Sequence, residues 1–429
     1  MKPRARLRVL LGAALALPIG AALAVWAVAR DEAPPDISDL PEIRPAVADS
    51  ENAFPGLLAV AQALAERSKS DAALAAALAS STPARERTPE ELAHLRSATA
   101  DLLAPWREAV ARPRSLAPAY RDADRPPFEI GSLHKLGRLA ALWCAPSDDT
   151  GGRMDPARFA EAFRAARLVT ESHDTLIVYL TGLASTNLVL AELADHVSTT
   201  PPDPQTAKTL ITALESARLE PEALVAVLHN EAHFTLHNAD NDDLQKYVEG
   251  MSVVGIPDPP PGAIWFYKPH QSARWQIEDL RAGLARIDTT PVSALVWPKP
   301  DRGPATLLFG LPHPDNAFGR HYAANTFVDL ASVLRFRPLM NARLSALQAF
   351  VALQAERAAR GGDLPGSLAE LVPAYFPAVP VDAADGAPIR YSRERAVVWS
   401  VGATGHEPAE EAAPLPAIEY RLAPPPAAD

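Results

Sequence analysis

The stretch Thr88-Pro89-Glu90-Glu91 decides the fold class, because it has the sequence of a helix N-terminus. The Thr88 hydroxyl is suited to cap the first turn, Pro89 fits the first helical position, and Glu91 stands three residues after the cap, as in a capping box. Shorter versions of this start, an acidic residue followed by proline, recur at Asp155-Pro156, Asp203-Pro204 and Glu220-Pro221. These starts predict a mainly α protein whose body is a bundle or irregular stack of helices.

The composition of the chain agrees with a helical, globular body. Of 429 residues, 48% are hydrophobic, 22% are charged and only 6% are aromatic, so the chain can bury a sizeable core. The 52 acidic residues outnumber the 41 basic ones and give a net charge of −11. Because phosphate binding needs a dense positive surface, nucleic acid is excluded as an expected partner.

The first thirty residues have the pattern of an export signal. Lys2, Arg4, Arg6 and Arg8 precede an uncharged run at 9–29. A helix of this length is about 31 Å long and crosses a bilayer, and the positive-inside rule keeps its N-terminus in the cytoplasm. We therefore expect a single-pass inner-membrane protein whose remainder lies in the periplasm. The alternative is a signal peptide cleaved after Ala29, which would release the protein into the periplasm or medium.

Changes in composition divide the remaining chain into segments. An extended linker at 31–50 leads into a helical domain at 51–250 and a Pro/Trp-rich segment at 251–322. A long helix at 323–361, with an interruption expected at Pro338, precedes a small α+β module at 362–420 and a disordered tail at 421–429. Within the module, short β-favouring runs at 388–391 and 396–401 predict a β-hairpin.

The motifs of the C-terminal module resemble a known family. The order of Leu364-Pro365, Val379-Pro380-Val381-Asp382 and Trp399-Ser400-Val401-Gly402 resembles the globular part of type II secretion major pseudopilins. It resembles more closely the tail of a group of uncharacterised single-pass bacterial envelope proteins, whose pattern Asn316-Ala317-Phe318-Gly319-Arg320 also fits. The resemblance implies an α+β module on a membrane-anchored protein, with an envelope or secretion-related protein as partner.

Three further expectations concern carboxylates of the chain. Pseudopilins bind calcium in an acidic loop after the last strand, but residues 401–406 contain no acid, so a calcium site is not expected here. Asp382 and Asp385 are expected to cap turns. In the resembling group a glutamate stands at the position of Glu231, which implies a buried carboxylate with an arginine partner.

Histidines at intervals of four make His229 and His233 candidate metal ligands. Together with His237 they form one stripe along a predicted helix. His229 and His237 are about 12 Å apart along such a helix, so only neighbouring histidines can share a metal ion. The alternative is that they are boundary residues of an amphipathic helix.

The Pro-rich segment contains three tryptophans, Trp265, Trp275 and Trp297, which are candidate interaction residues. Aromatic loops on a rigid helical body are typical of binding surfaces, although the same residues also serve as packing groups.

Sequence motifs for catalysis and cofactor binding are missing. The chain has no Gly-x-Ser-x-Gly elbow, phosphate-binding loop or dinucleotide fingerprint, and no cofactor is expected. The sequence therefore favours a non-enzymatic envelope protein that presents an interaction surface. The alternative is an exported hydrolase or metal-dependent enzyme whose site is not marked by a motif.

Overall fold

A computed structural model describes the chain at 30–80, 84–119, 130–145, 154–241, 259–297, 302–307, 311–313, 315–325, 330–402 and 418–422. The described residues are mainly helical, as the sequence predicts. The expected membrane helix at 9–29 lies outside them. The chain forms two compact units: a small unit (Met1–Pro41, Ala232–Ala285 and Trp297–Leu330) and a large unit (Glu42–Glu231, Arg286–Val296 and Ala331–Asp429).

The predicted helix starts are confirmed. The Thr88 hydroxyl accepts a hydrogen bond from the Glu91 N–H, and the Glu91 carboxylate accepts one from the Thr88 N–H, which completes a capping box. The side chains of Asp155 and Asp203 also cap their helices by accepting backbone N–H groups of the first turn. Local sequence alone therefore places these helix ends. Within the described residues, the first nine α-helices are α1 (Phe54–Ser70), α2 (Ala72–Ala79), α3 (Pro89–Thr99), α4 (Leu103–Ala111), α5 (Ile130–Cys144), α6 (Pro156–Thr170), α7 (Leu176–Thr199), α8 (Pro204–Ser216) and α9 (Pro221–Asn241).

Helix α7 lies at the centre of the large unit, where it packs against α5 and α6. Small residues allow this close approach. A Cβ atom on Gly137 of α5 would lie 2.7 Å from the Cα of Ser185 in α7. A Cβ on Gly182 of α7 would lie 2.6 Å from the backbone nitrogen of Thr170, at the end of α6. Both distances are shorter than van der Waals contact, so glycine is required at each crossing.

The interruption predicted at Pro338 is wrong. Helix α12 (Leu330–Ala359) continues through this proline. A proline inside a helix removes one backbone hydrogen bond and costs about 3 kcal/mol. Burial of the following turns offsets this cost, since Leu344, Leu347 and Leu353 are completely shielded from solvent.

The C-terminal module contains the predicted hairpin. Strands β1 (Arg390–Ser392) and β2 (Val397–Trp399) pair antiparallel, and β3 (Glu419–Arg421) pairs with the other edge of β2. Tyr420 of β3 stacks on Phe350 of α12, with ring centroids 5.4 Å apart. This contact joins the sheet to the core of the large unit.

The small unit is built around helices α10 (Pro269–Leu284) and α11 (Ala317–Asn325). Its core contains Ala263, Ala317 and Phe318. The chain at 31–40 has no regular secondary structure, but hydrogen bonds attach it to α10 and to α9. Asp31 accepts hydrogen bonds from the His270 and Gln271 N–H groups and so caps the N-terminus of α10.

Candidate functional sites

The histidine stripe is on α9, as its spacing predicts. The Nε2 atom of His233 lies 2.7 Å from the carbonyl oxygen of Leu40. Because a carbonyl can only accept, this Nε2 carries a hydrogen and has no lone pair for a metal in the observed arrangement. No group of three or more His, Cys, Asp or Glu residues is arranged to hold a metal within the described ranges. A metal site at His229 and His233 stays a prediction.

Asn230, between two of these histidines, holds two distant parts of the large unit together. Its side-chain oxygen accepts the Ile43 N–H at 2.9 Å, and its amide nitrogen donates to the carbonyl of Ile43 at 3.1 Å. The same nitrogen donates to the carbonyl of His173 at 2.9 Å. Arg44 also donates to the His173 carbonyl, at 3.2 Å. This network fixes the chain just before α7, where His173 has a left-handed backbone with φ of 52°.

Glu231 completes the network, but with a partner other than the expected arginine. Its Oε2 atom accepts the N–H of Leu176, the first residue of α7, at 2.8 Å. Thr175 makes no side-chain capping hydrogen bond, so Glu231 caps α7 in its place. The partner is a backbone group because a carboxylate at a helix N-terminus meets unpaired N–H groups and the positive end of the helix dipole.

The environment of Glu231 shifts the pKa of its carboxyl group toward neutral pH. Burial raises the pKa of this carboxyl group to about 7, although the hydrogen bond from Leu176 opposes the shift, and nearby Asp174 raises the pKa further. Asp174 is itself only 3% exposed. Burial and the charge of Arg44 lower the pKa of His173. Glu231 can therefore gain or lose a proton near pH 7, and its protonation is coupled to the packing of α7.

In the small unit, Asn316 organises the segment Asn316-Ala317-Phe318-Gly319-Arg320. Asn316 is completely buried, and its backbone has a left-handed conformation with φ of 58°. Its side-chain oxygen accepts the N–H groups of Lys268 and Gly319, and its nitrogen donates to the Ser272 hydroxyl at 2.9 Å. A Cβ on Gly319 would lie 2.5 Å from the Asn316 oxygen, so only glycine fits there. Hydrogen bonding by Asn316 and close packing at Gly319 therefore explain why these two residue types occur in this segment.

The three candidate tryptophans lie in different surroundings. Trp275 is half-buried, and the guanidinium carbons of Arg302 and Arg320 lie 5.5 and 5.9 Å from its ring centroid, in cation–π contact. Trp297 is also half-buried. Trp265, in contrast, is 84% exposed. Of the three, Trp265 presents its indole to solvent.

Other apolar side chains accompany Trp265 in the small unit. Ile264, Leu307 and Leu311 are 45%, 46% and 61% exposed. Trp265 and Pro312 are neighbours, since a Cβ on Gly262 would lie 3.6 Å from the indole and 3.8 Å from the proline ring. We call the exposed residues Ile264, Trp265 and Leu311, together with the half-buried Pro312, the Trp265 surface.

In the C-terminal module, Asp382 is a fully buried structural carboxylate. One oxygen accepts the Ala384 N–H and the Ser400 hydroxyl, and the other accepts the Val401 N–H and the Arg390 guanidinium. Its contact with Ala384, two residues on, is the turn-capping bond that the sequence predicts. Internal donors occupy both carboxylate oxygens, which accounts for the burial of the charge.

Comparison of the chain with family models, curated proteins and solved structures finds no significant match. The pseudopilin resemblance therefore rests on the quoted residues alone. Among the described helices, α7 is long and apolar enough to span a bilayer, and 67% of its most apolar window is buried inside the protein. Its buried Thr181, Ser185 and Glu192 and its packing against α5 and α6 are those of a core helix.

Proposed function

We propose that the protein is a single-pass envelope protein, anchored N-terminus inward in the inner membrane by residues 9–29, that binds a protein partner through the Trp265 surface. The 84% exposure of Trp265 carries this proposal. Exposed apolar residues are ordinary when scattered, but grouped with a tryptophan they mark interaction sites. Tryptophan is also the residue type most enriched among those that dominate binding energy.

The position of the Trp265 surface supports a partner at the membrane. Asp31, two residues after the proposed anchor, binds the first turn of α10 through the His270 and Gln271 N–H groups. Trp265 is five residues before His270, a span of at most about 18 Å. The anchor therefore holds the Trp265 surface near the periplasmic face of the inner membrane, where membrane-bound proteins are within reach.

Charge favours a protein partner over the lipid surface itself. The segments 262–267 and 305–312 contain no lysine or arginine, whereas helices and loops that bind anionic lipids use these residues. Lys268, the first cation after Trp265 in the sequence, is paired internally with Asp315 at 2.6 Å. An apolar pocket on another protein complements the Trp265 surface better than a charged headgroup layer.

The resemblance of the C-terminal module narrows the class of partner. Pseudopilins act in a secretion assembly, so the partner we propose is an envelope or secretion-related protein. The Trp265 surface is separate in sequence from the pseudopilin-like module at 362–420, and the two can engage different proteins.

The experiment is chemical cross-linking of the full chain in intact cells, followed by detergent solubilisation and recovery of bound proteins. Val381→Ala is the matched control, because Val381 is a 51% exposed apolar residue of the large unit. We expect one stoichiometric partner with the unmodified chain and with Val381→Ala, and about tenfold less of it with Trp265→Ala. An equal yield from Trp265→Ala, or no partner at all, contradicts the proposal and favours the enzymatic alternative.

Cell fractionation tests the anchor. The intact chain is expected in the membrane fraction after a high-salt wash, because a transmembrane helix does not dissociate. A soluble protein whose mature N-terminus is Arg30 would show that the segment 1–29 is a cleaved signal peptide.

A further inference from the structure

In the small unit, the imidazole ring of His270 lies between the carboxylates of two separate segments. Its Nδ1 atom is 2.8 Å from an oxygen of Asp31, and its Nε2 atom is 2.9 Å from an oxygen of Asp240. His270 is in the first turn of α10, and Asp240 is in the last turn of α9. One side chain therefore joins the segment 31–40, the end of α9 and the start of α10.

Both contacts exist together only while the His270 ring carries two protons. An ionised carboxylate accepts hydrogen bonds and cannot donate one, and a neutral imidazole has one N–H and one bare lone pair. The protonated ring can donate to Asp31 and to Asp240, whereas the neutral ring can donate to one of them and turns a lone pair toward the other. The proton on His270 therefore controls how many segments the ring joins.

The surroundings of His270 favour the protonated ring. Burial alone would lower the pKa of His270, but the hydrogen bonds and charges of Asp240 and Asp31 outweigh it and raise the pKa above the ordinary value of 6.5. The stabilisation that this proton supplies is therefore fully present below pH 6.5 and is lost as pH rises through the raised pKa. Other charged side chains near this turn of α10 are paired with one another: Glu32 with Arg274 at 2.9 Å, and Asp315 with Lys268 at 2.6 Å and with Arg320 at 2.9 Å.

Asp240 is the contact that opens when the ring becomes neutral. Asp31 also accepts the backbone N–H groups of His270 and Gln271, so it keeps these donors in either state. Within the described residues, the carboxylate of Asp240 has the His270 ring as its one hydrogen-bond partner, and it is 54% exposed. Asp240 also stands at the C-terminal end of α9, where the helix dipole disfavours a negative charge. Loss of the proton therefore leaves Asp240 free to turn to solvent.

The contact between Asp240 and His270 joins the two ends of the connection that carries Trp265. Helix α9 ends at Asn241 and α10 begins at Pro269, so Trp265 belongs to the chain between them. A contact that closes such a connection at its base lowers the number of conformations open to the residues within it. A binding surface that is held in this way loses less conformational freedom when a partner binds.

We propose that His270 is a proton-controlled clamp, which holds the end of α9 to α10 at mildly acidic pH and releases it at mildly alkaline pH. The clamp thereby makes partner binding by the Trp265 surface tighter at the lower pH. This second effect rests on the function proposed above, whereas the clamp itself does not.

The test is amide hydrogen exchange of the detergent-solubilised full chain, read by mass spectrometry in peptides that cover the last two turns of α9. Rates at about pH 5.5 and about pH 8, on either side of the histidine titration, are corrected for the intrinsic effect of pH on exchange. Between these values we expect the unmodified chain to lose about fivefold more protection than His270→Gln, whose side chain does not titrate. Equal losses in the two proteins overturn the proposal.

Two further variants assign the effect to Asp240. Asp240→Asn removes the charge from the clamp and should behave as His270→Gln does. Glu278→Gln is its control, because Glu278 is an exposed acid of α10 and should keep the full response of the unmodified chain. Glu231 and His237, which share α9 with Asp240, are present in every protein compared, so their titration does not produce the difference. A full response in Asp240→Asn overturns the role of Asp240.

Cross-linking in cells at the same two pH values separates the clamp from the function proposed above. We expect about threefold more captured partner at the lower pH with the unmodified chain, and equal capture at both with His270→Gln. Equal capture by the unmodified chain overturns control of the Trp265 surface by His270. Absence of a captured partner at either pH overturns the proposed function, and the exchange rates still decide whether the clamp exists.

Discussion

The Oε2 atom of Glu231 lies 2.8 Å from the backbone nitrogen of Leu176, so a side chain of α9 caps the first turn of α7. This contact joins residues 55 positions apart and fixes the N-terminus of the most central helix of the large unit. Because Asn230 holds Ile43 and the His173 carbonyl beside it, the two neighbouring residues of α9 order three separate parts of the chain.

Replacement of Glu231 by alanine should destabilise the large unit. The Leu176 N–H then loses its acceptor, and an unpaired buried N–H costs about 1 to 3 kcal/mol. Glu231→Gln keeps an oxygen at the same distance and should retain most of the stability at pH 7. The free energy of unfolding, measured with urea, checks both variants. Equal destabilisation by alanine and glutamine would contradict the capping role.

The stability of the large unit should fall as pH rises through the range in which Glu231 titrates. Its pKa is about 7 in the folded protein against an ordinary value of 4.5, so the folded state binds more protons between these values. This contribution is fully present below pH 4.5 and is lost as pH passes 7. The lowered pKa of His173 acts in the opposite direction below pH 6.5.

Comparison with Glu231→Gln separates these effects, because the variant keeps His173 and removes only the carboxyl titration. From pH 4.5 to 8, urea unfolding should show the unmodified chain losing up to about 3 kcal/mol relative to the variant. Parallel stability curves for the two proteins would show that Glu231 keeps its ordinary pKa.

Gly182→Ala should disturb the crossing of α6 and α7. The added methyl group would lie 2.6 Å from the Thr170 nitrogen and 2.8 Å from its Cα, both backbone atoms that cannot rotate away. Overpacking of this kind costs about 1 to 3 kcal/mol, whereas alanine in an unobstructed helix position is favourable by about 1 kcal/mol. A higher melting temperature for Gly182→Ala would show that the helices are farther apart.

Asp382→Ala should destabilise the C-terminal module more than Asp385→Ala. Asp382 is completely buried, and its loss removes the acceptor of the Ser400 hydroxyl, an acceptor of the Val401 N–H and one of the two carboxylates that bind Arg390. A buried donor left without an acceptor costs about 1 to 3 kcal/mol. Asp385 is 22% exposed, so its loss should cost less. Protease resistance of the C-terminal module measures the difference, and equal resistance of the two variants would argue against this ranking.

Local sequence was sufficient for the helix starts but not for the tertiary contacts. The side chains of Thr88, Asp155 and Asp203 cap backbone N–H groups two or three positions away. A motif of a few consecutive residues is therefore enough to predict their roles. The partner of Glu231 depends on chain folding over 55 positions, and the resemblance suggested an arginine where the structure has a backbone N–H. The interruption predicted at Pro338 is wrong because burial of the following helix turns outweighs the free-energy cost of a proline inside the helix.

The exposure of the candidate interaction residues also depends on tertiary contacts that local sequence does not predict. Trp265 and Trp275 stand ten positions apart in one Pro-rich segment, and nothing in their immediate flanks separates them. Their difference arises because Arg302 and Arg320, from later in the chain, cover Trp275 and leave Trp265 exposed.

The most direct test of the central claim is site-specific photo-cross-linking in intact cells, with the photoreactive residue at Ile264 and, as control, at Val381. Both positions are exposed apolar residues, at 45% and 51%. We predict an adduct with one envelope protein from position 264, none from position 381, and loss of the adduct when Trp265→Ala is added. An adduct with lipid alone, or the same protein adducts from both positions, would contradict a protein-binding role for the Trp265 surface.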